Sequence, residues 1–195
     1  MEKLKCLGIG CSPRVKGNTS ILLERSMEGA EQAGAECETI YLRSYKFSPC
    51  IACEGCNRHG QCIVKDDMQE IYEKLLWADR IILAAPIFSM GINAMGKALI
   101  DRGQRFWATK YVLHQPVAER PQGPERRGIL LSASGTNLPG IFDCAIRGIK
   151  YYYKMLDIKY SGEYCYSKVD AKGEILSRPE ALEQVFNAGQ ELASR

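Results

Sequence analysis

The sequence has no apolar run long enough to cross a bilayer. Its longest, around Arg80–Phe88, falls far short of the roughly 20 residues a spanning helix needs. A net charge of +3 is too small a bias to argue for nucleic acid or a membrane surface as partner. Neither G-x-G-x-x-G nor a Walker loop occurs, which disfavours a dinucleotide held in Rossmann fashion or a triphosphate. No internal repeat or low-complexity tract is present, and no basic stretch leading into an apolar one follows the opening Met-Glu-Lys, so the expectation is a cytoplasmic protein. What remains is 195 residues, 46% hydrophobic and 25% charged, as expected for one soluble domain spanning 1–195.

Cysteine, by contrast, is abundant, with nine in the chain. Cys6, Cys11, Cys37, Cys144 and Cys165 are scattered and read as small core hydrophobes. The other four, Cys50, Cys53, Cys56 and Cys62, form a C-x2-C-x2-C-x5-C pattern within the loop 48–64. Bacterial iron–sulfur proteins use the related C-x2-C-x2-C-x3-C-P spacing. Structural zinc takes four thiolates too, but usually from two separated C-x2-C knuckles, and here the knuckles overlap through Cys53. A disulfide framework is uncommon in a reducing compartment. Spacing therefore favours an iron–sulfur cluster, with zinc or four free thiols as the other readings.

Apolar runs alternate with helical periodicities. Strands are expected at 4–10, 36–42, 80–85, 127–133 and 158–166, and helices at 18–34, from 66–67 onward, 91–102, 139–155 and 179–193. Five strands each followed by a helix imply right-handed crossovers and a parallel sheet covered on both faces. The segment 103–126, rich in Arg, Pro, Gln and aromatics, reads as a long excursion.

The first strand runs into Ser12-Pro-Arg14-Val-Lys16-Gly17-Asn18-Thr19-Ser20 just before a helix. Hydroxyls, an amide and two cations at a helix N-terminus suit an anion, and Asn18, Thr19 and Ser20 are also ordinary capping residues. Capping alone leaves Arg14 and Lys16 unaccounted for, so a phosphate is the favoured reading.

Strand-Gly-Cys-Ser-Pro-Arg-x-x-Gly-Asn-Thr-Ser resembles the FMN phosphate loop of the NADPH-dependent FMN reductase group within the flavodoxin-like fold. Pro86-Ile87-Phe88-Ser89-Met90-Gly91 is similar to that group's second loop, with Phe88 where tyrosine is frequent, and Lys97-Ala-Leu-Ile-Asp101-Arg102 to its Lys-x-x-x-Asp-Arg. With the four cysteines and Asp66-Asp67-Met68 added, the chain most resembles the iron–sulfur flavoproteins. The likeness is specific from about Leu4 to Arg102 and topological beyond.

The resemblance implies an α/β, flavodoxin-like three-layer sandwich with a five-stranded parallel sheet in the order 2-1-3-4-5. It implies FMN, with Ser12, Arg14, Asn18, Thr19 and Ser20 on the phosphate. Pro86, Ile87, Phe88, Ser89, Met90 and Gly91 would lie along the ring, and Ser134, Gly135 and Thr136 would meet it from a third loop. It implies a 4Fe-4S cluster on Cys50, Cys53, Cys56 and Cys62. The function that follows is an FMN-dependent oxidoreductase passing electrons between a small redox carrier or NAD(P)H, the flavin and the cluster. Two alternatives stand beside it: a cluster-free NAD(P)H-dependent FMN or quinone reductase, and a non-catalytic electron carrier or redox sensor.

No side-chain acid or base is required, so His59 and His114 need not be catalytic, and His59 is expected to face solvent. In that strand order a ligand sits near the first and third strands, whereas the cysteine loop follows the second at the sheet edge. A homodimer or homotetramer is therefore expected, with the cluster facing a neighbour's flavin and Phe106, Trp107 and Tyr111 as interface aromatics. Tyr151, Tyr152 and Tyr153 read as helix packing or interface.

Overall fold

The computed structural model describes residues 3–118 and 123–194. Five parallel strands form the main sheet: β1 (Lys5–Gly10), β2 (Glu36–Tyr41), β3 (Arg80–Phe88), β5 (Arg127–Ala133) and β6 (Lys159–Tyr166), in the order β2-β1-β3-β5-β6. Counting parallel strands alone, this is the expected 2-1-3-4-5. A short β4 (Gly91–Ile92) lies outside that path and pairs antiparallel with the end of β3, Ile87 facing Ile92 and Phe88 facing Gly91. β1, β3 and β5 are buried along nearly their whole length, as strands covered on both faces must be.

Helices α1 (Asn18–Gln32) and α7 (Pro179–Ser194) cover one face, over a core of Leu22, Leu23, Ile82, Leu131 and Val185. On the other face lie α3 (Met68–Trp77), α4 (Ala94–Arg102), α5 (Gln104–Tyr111) and α6 (Asp143–Met155), over Leu7, Leu83, Leu130, Tyr152 and Tyr153. The one-turn α2 (Cys56–His59) sits inside the cysteine loop. The α1–α7 contact is backbone to backbone: a Cβ on Gly29 would collide with the Phe186 carbonyl, and one on Gly189 with the Ser26 carbonyl.

Several expectations need correction. The excursion 103–126 begins with the helix α5, and Phe106 within it is 1% exposed, its ring edge-on to Tyr72 at 5.5 Å. Phe106 is therefore core, while Trp107 is half-buried and Tyr111 exposed. Residues 119–122 of that segment lie outside the described residues. The third helix starts at Ala94 rather than 91, because the hairpin β3–β4 consumes the preceding residues. α6 starts at Asp143 rather than 139, after the left-handed Gly140. Tyr152 and Tyr153 are buried and Tyr151 exposed, whereas Cys144 is exposed rather than core. Among the described residues no helix is long and apolar enough to cross a membrane.

Candidate two-cofactor site

A crevice opens at the carboxyl ends of the central strands, lined by Ser12, Arg14, Gly17, Asn18 and Thr19 after β1, Pro86, Ile87 and Phe88 at the end of β3, Ala133 and Gly135 after β5, and Val169 and Asp170 after β6. This is the switch point where β1 and β3 lie side by side with their helices on opposite faces. α1 enters it uncapped: its N-cap is Gly17, no side chain bonds the first-turn N–H groups, and no acid stands in that turn. Such an end is a ready anion site. The Ser20 hydroxyl, in the same turn, is fully buried with no hydrogen-bond partner.

Asn18 behaves differently from the expectation. Its amide donates to the carbonyls of Val169 at 3.4 Å and Ala171 at 2.9 Å, and accepts from the Ile175 N–H at 3.2 Å. The side chain clamps the turn after β6, leaving Asn18's backbone N–H for the crevice. Ser12 Oγ accepts the Arg14 N–H at 3.1 Å and braces the loop, while Arg14, exposed, donates to the Asp170 carbonyl at 3.0 Å. Lys16 is exposed and left-handed, with φ 53°. Val169 and Asp170 escaped the sequence reading, although the end of the last strand in a parallel sheet marks such a position.

Ser89 and Met90 form the tip of the β3–β4 hairpin, with φ of 48° and 65°. Two successive positive φ values are the signature of a type I′ turn, usually Asn-Gly. Phe88 and Met90 are 47% and 43% exposed, and Gly91 is half-buried. Asn93, just before α4, donates from its amide to the Cys11 carbonyl at 2.7 Å and ties this hairpin to the first loop. Ser134 Oγ accepts the Thr136 N–H at 3.3 Å, so the third loop turns back at the crevice edge.

The four cysteines line a second cavity of about 450 Å³, together with Ile51, Ile63, Arg102, Arg105 and Trp107 among others. Cys56 is buried, Cys50 and Cys62 are half-buried, and Cys53 is exposed. Burial raises the Cys56 thiol, and the proximity of Cys62, Cys50 and Cys53 raises it further. Among the described residues no three His, Cys, Asp or Glu side chains are gathered closely enough to hold a single metal ion. The thiols surround a space instead. Ala52 and Glu54, non-glycine residues flanking Cys53, are both left-handed. Left-handed residues in a loop can aim backbone N–H groups into a concavity, the arrangement used at many iron–sulfur sites.

Both ends of the cysteine loop are pinned by α4. Arg102, its side chain 1% exposed, makes a two-pronged pair with Asp66 and donates to the Ser48 carbonyl at 2.9 Å. Asp66 also accepts the N–H groups of Ser48 and Met68, at 3.1 and 3.2 Å. Burial would raise the Asp66 carboxyl, but Arg102 and these two N–H groups hold it below its ordinary value. Arg105 stands over the Tyr72 ring at 4.6 Å and donates to the Gly60 carbonyl at 3.1 Å. Burial lowers its pKa while Tyr72, Cys62 and Cys56 favour its charge. His59 faces solvent, as expected.

A parallel sheet with an anion-ready loop at its switch point and a second, cysteine-lined cavity beside its edge strand defines a flavodoxin-like protein. The chain belongs to the NADPH-dependent FMN reductase family, whose model matches residues 4–140. It is 39% identical over 101 residues to an iron–sulfur flavoprotein of Methanocaldococcus jannaschii, the match covering 52% of each chain. To the iron–sulfur flavoprotein of Methanosarcina thermophila it is 36% identical over 126 residues, 64% of this chain and 66% of the relative. The matches thus span about half to two thirds of the length of these curated relatives. A solved structure, the NAD(P)H:quinone oxidoreductase from Methanothermobacter marburgensis, superposes with a TM-score of 0.72 at 18% identity, covering 98% of both chains, which shows the shared fold.

Proposed function

We propose that this chain is an FMN-dependent oxidoreductase of the iron–sulfur flavoprotein type, exchanging electrons between a small redox carrier or NAD(P)H, FMN and a 4Fe-4S cluster. The observation that carries it is the pairing of an uncapped α1 N-terminus at the sheet switch point with four thiols around one cavity. Bound FMN accepts an electron pair as hydride and releases electrons singly, and a cluster carries one at a time.

The chain's own residues supply position and charge. The first-turn N–H groups of α1, with Thr19 and the unpartnered Ser20 hydroxyl, suit a phosphate, and Arg14 and Lys16 add cations at its edge. Pro86 to Gly91 form one side of the ring site, and Ser134 to Thr136 an edge. Cys50, Cys53, Cys56 and Cys62 are the ligands, and an extended cluster suits a spread of thiols better than one tetrahedral ion does. Arg105 offsets their negative charge and Arg102 fixes the loop that bears them.

α4 runs from Ala94, next to Asn93 and the crevice, to Arg102 beside the cysteine cavity, about 12 Å of helix at 1.5 Å per residue. Apolar side chains stand exposed at both ends of this span: Ile51 and Ile63 at 67% and 58%, Phe88 and Met90 at 47% and 43%. A homodimer or homotetramer that covers them would bring one chain's cysteine loop to another's crevice.

The test is anaerobic purification, with flavin, iron and acid-labile sulfide measured per chain, followed by titration of FMN and riboflavin into the flavin-free protein. About four irons and four sulfides per bound flavin, with FMN held at least tenfold tighter than riboflavin, are expected. Flavin without sulfide would assign the cluster-free reductase, and no flavin retention at all would remove the proposal.

A further inference from the structure

Cys6 and Cys37 lie outside both cavities. They are in register on neighbouring parallel strands, β1 and β2, and both belong to the sheet face under α1. Adjacent strands stand about 4.8 Å apart, and a disulfide needs Cα atoms roughly 4.4–6.8 Å apart. Cys6 is fully buried, with its sulfur 4.0 Å from Met27 Sδ, whereas Cys37, on the edge strand, is half-buried and open to small solutes. We propose that Cys6 and Cys37 form a reversible dithiol–disulfide site, oxidised by peroxide-class oxidants at Cys37 and resolved by Cys6.

The two thiols differ in the direction such a site needs. The Cys6 S–H is directed at Met27 Sδ; closeness to Cys37, together with burial, raises the Cys6 thiol, and the same closeness lowers Cys37 against opposition from burial and Glu31. Cys37 therefore presents more thiolate, the nucleophilic form, and Cys6 keeps its proton. In the first step the Cys37 thiolate attacks one peroxide oxygen, an S–O bond forms, the O–O bond breaks and hydroxide leaves. In the second the Cys6 sulfur attacks the Cys37 sulfur, S–S forms, S–O breaks, and the Cys6 proton leaves with the hydroxyl as water. Two thiols are oxidised by two electrons and one peroxide is reduced to two waters. Because Cys37 lies half-open on the edge strand, such a bond would be within reach of small thiols, which reduce it by exchange.

The resulting bond would close β1, the Ser12–Ser20 loop and α1 into one ring with the edge strand from which the cysteine loop departs. Peroxide treatment of the whole protein, alkylation of remaining thiols and non-reducing peptide mapping test it. The expected product is a peptide pair joining Cys6 to Cys37, two hydrogens lighter than its parts and separated again by a thiol reductant. In the Cys6→Ala protein Cys37 should instead accumulate two or three added oxygens, because nothing resolves it. Wild-type protein whose Cys37 is over-oxidised to the same extent, or whose Cys6 and Cys37 both remain alkylatable after peroxide has consumed other thiols, would overturn the proposal. The map reads these positions separately from Cys50, Cys53, Cys56 and Cys62, so it does not depend on the cluster.

Discussion

Arg102 and Asp66 meet as a two-pronged pair, Nη1 to Oδ2 at 2.7 Å and Nη2 to Oδ1 at 3.0 Å, and through it one helix end holds both feet of the cysteine loop. Removing one member of such a buried pair leaves the other charge without a partner. Arg102→Leu is expected to cost about 3–5 kcal/mol of unfolding free energy and to lower iron retention, measured by urea denaturation and by iron assay.

The same pair sets an acid dependence. The Asp66 carboxyl is held below its ordinary value in the folded chain. Its contribution is therefore complete above the unfolded pKa of about 3.9 and is lost as pH falls through the lower folded value. Stability measured from about pH 5 downward should fall less steeply in Asp66→Asn than in the wild type. Equal slopes would show that Asp66 is not the group responsible.

Gly29 and Gly189 let α1 and α7 touch along their backbones, and neither facing carbonyl has a flexible end that could yield. Gly29→Ala should destabilise by about 3 kcal/mol, at the upper end of ordinary overpacking. Because α1 carries the Thr19 and Ser20 turn, FMN affinity should fall with it. A Gly29→Ala protein with wild-type melting and flavin binding would mean that the helices separate freely.

The Ser89-Met90 turn keeps two side chains where Asn-Gly is preferred, and each left-handed residue costs roughly 1–2 kcal/mol. The double variant Ser89→Asn, Met90→Gly should gain about 1–2 kcal/mol in stability. If Met90 lies along the flavin as proposed, the gain should be accompanied by weaker FMN binding, read by fluorescence titration.

Arg105 is a cation that lies between Tyr72 and the cysteine cavity and, unlike Arg102, pairs with no carboxylate among the described residues. Net charge near a cluster sets its potential, so Arg105→Gln should make the cluster harder to reduce. EPR-monitored potentiometry would show the midpoint moving downward, and an unchanged midpoint would place the Arg105 charge outside the cluster's reach.

The alternation of apolar runs and helical periods was enough to place all five parallel strands, because buried parallel strands are apolar along their length and β1 announces itself by ending in Gly10-Cys11-Ser12, while their order came from the family resemblance. The β3–β4 hairpin stayed hidden because Ser89-Met90 is not a turn pair by composition. Helix α5 was masked by Gly103, which separates it from α4 and reads as a stop, and by the basic and aromatic residues after it. Phe106 looked like an interface residue because nothing local shows that Tyr72, thirty-four positions earlier, is waiting for its edge. Arg102 came through a motif match, but its grip on Ser48 and Asp66 depends on contacts across the fold. Asn18 was read as a phosphate ligand, and its side chain is taken up by a turn over 150 residues away.

That last contact couples two events in time. Asn18, bonded to Val169, Ala171 and Ile175, ties the crevice wall to the turn beyond β6, so widening on that side strains those three bonds. If flavin leaves through that opening, its release rate and the hydrogen exchange of the amides around Ile175 should rise and fall together.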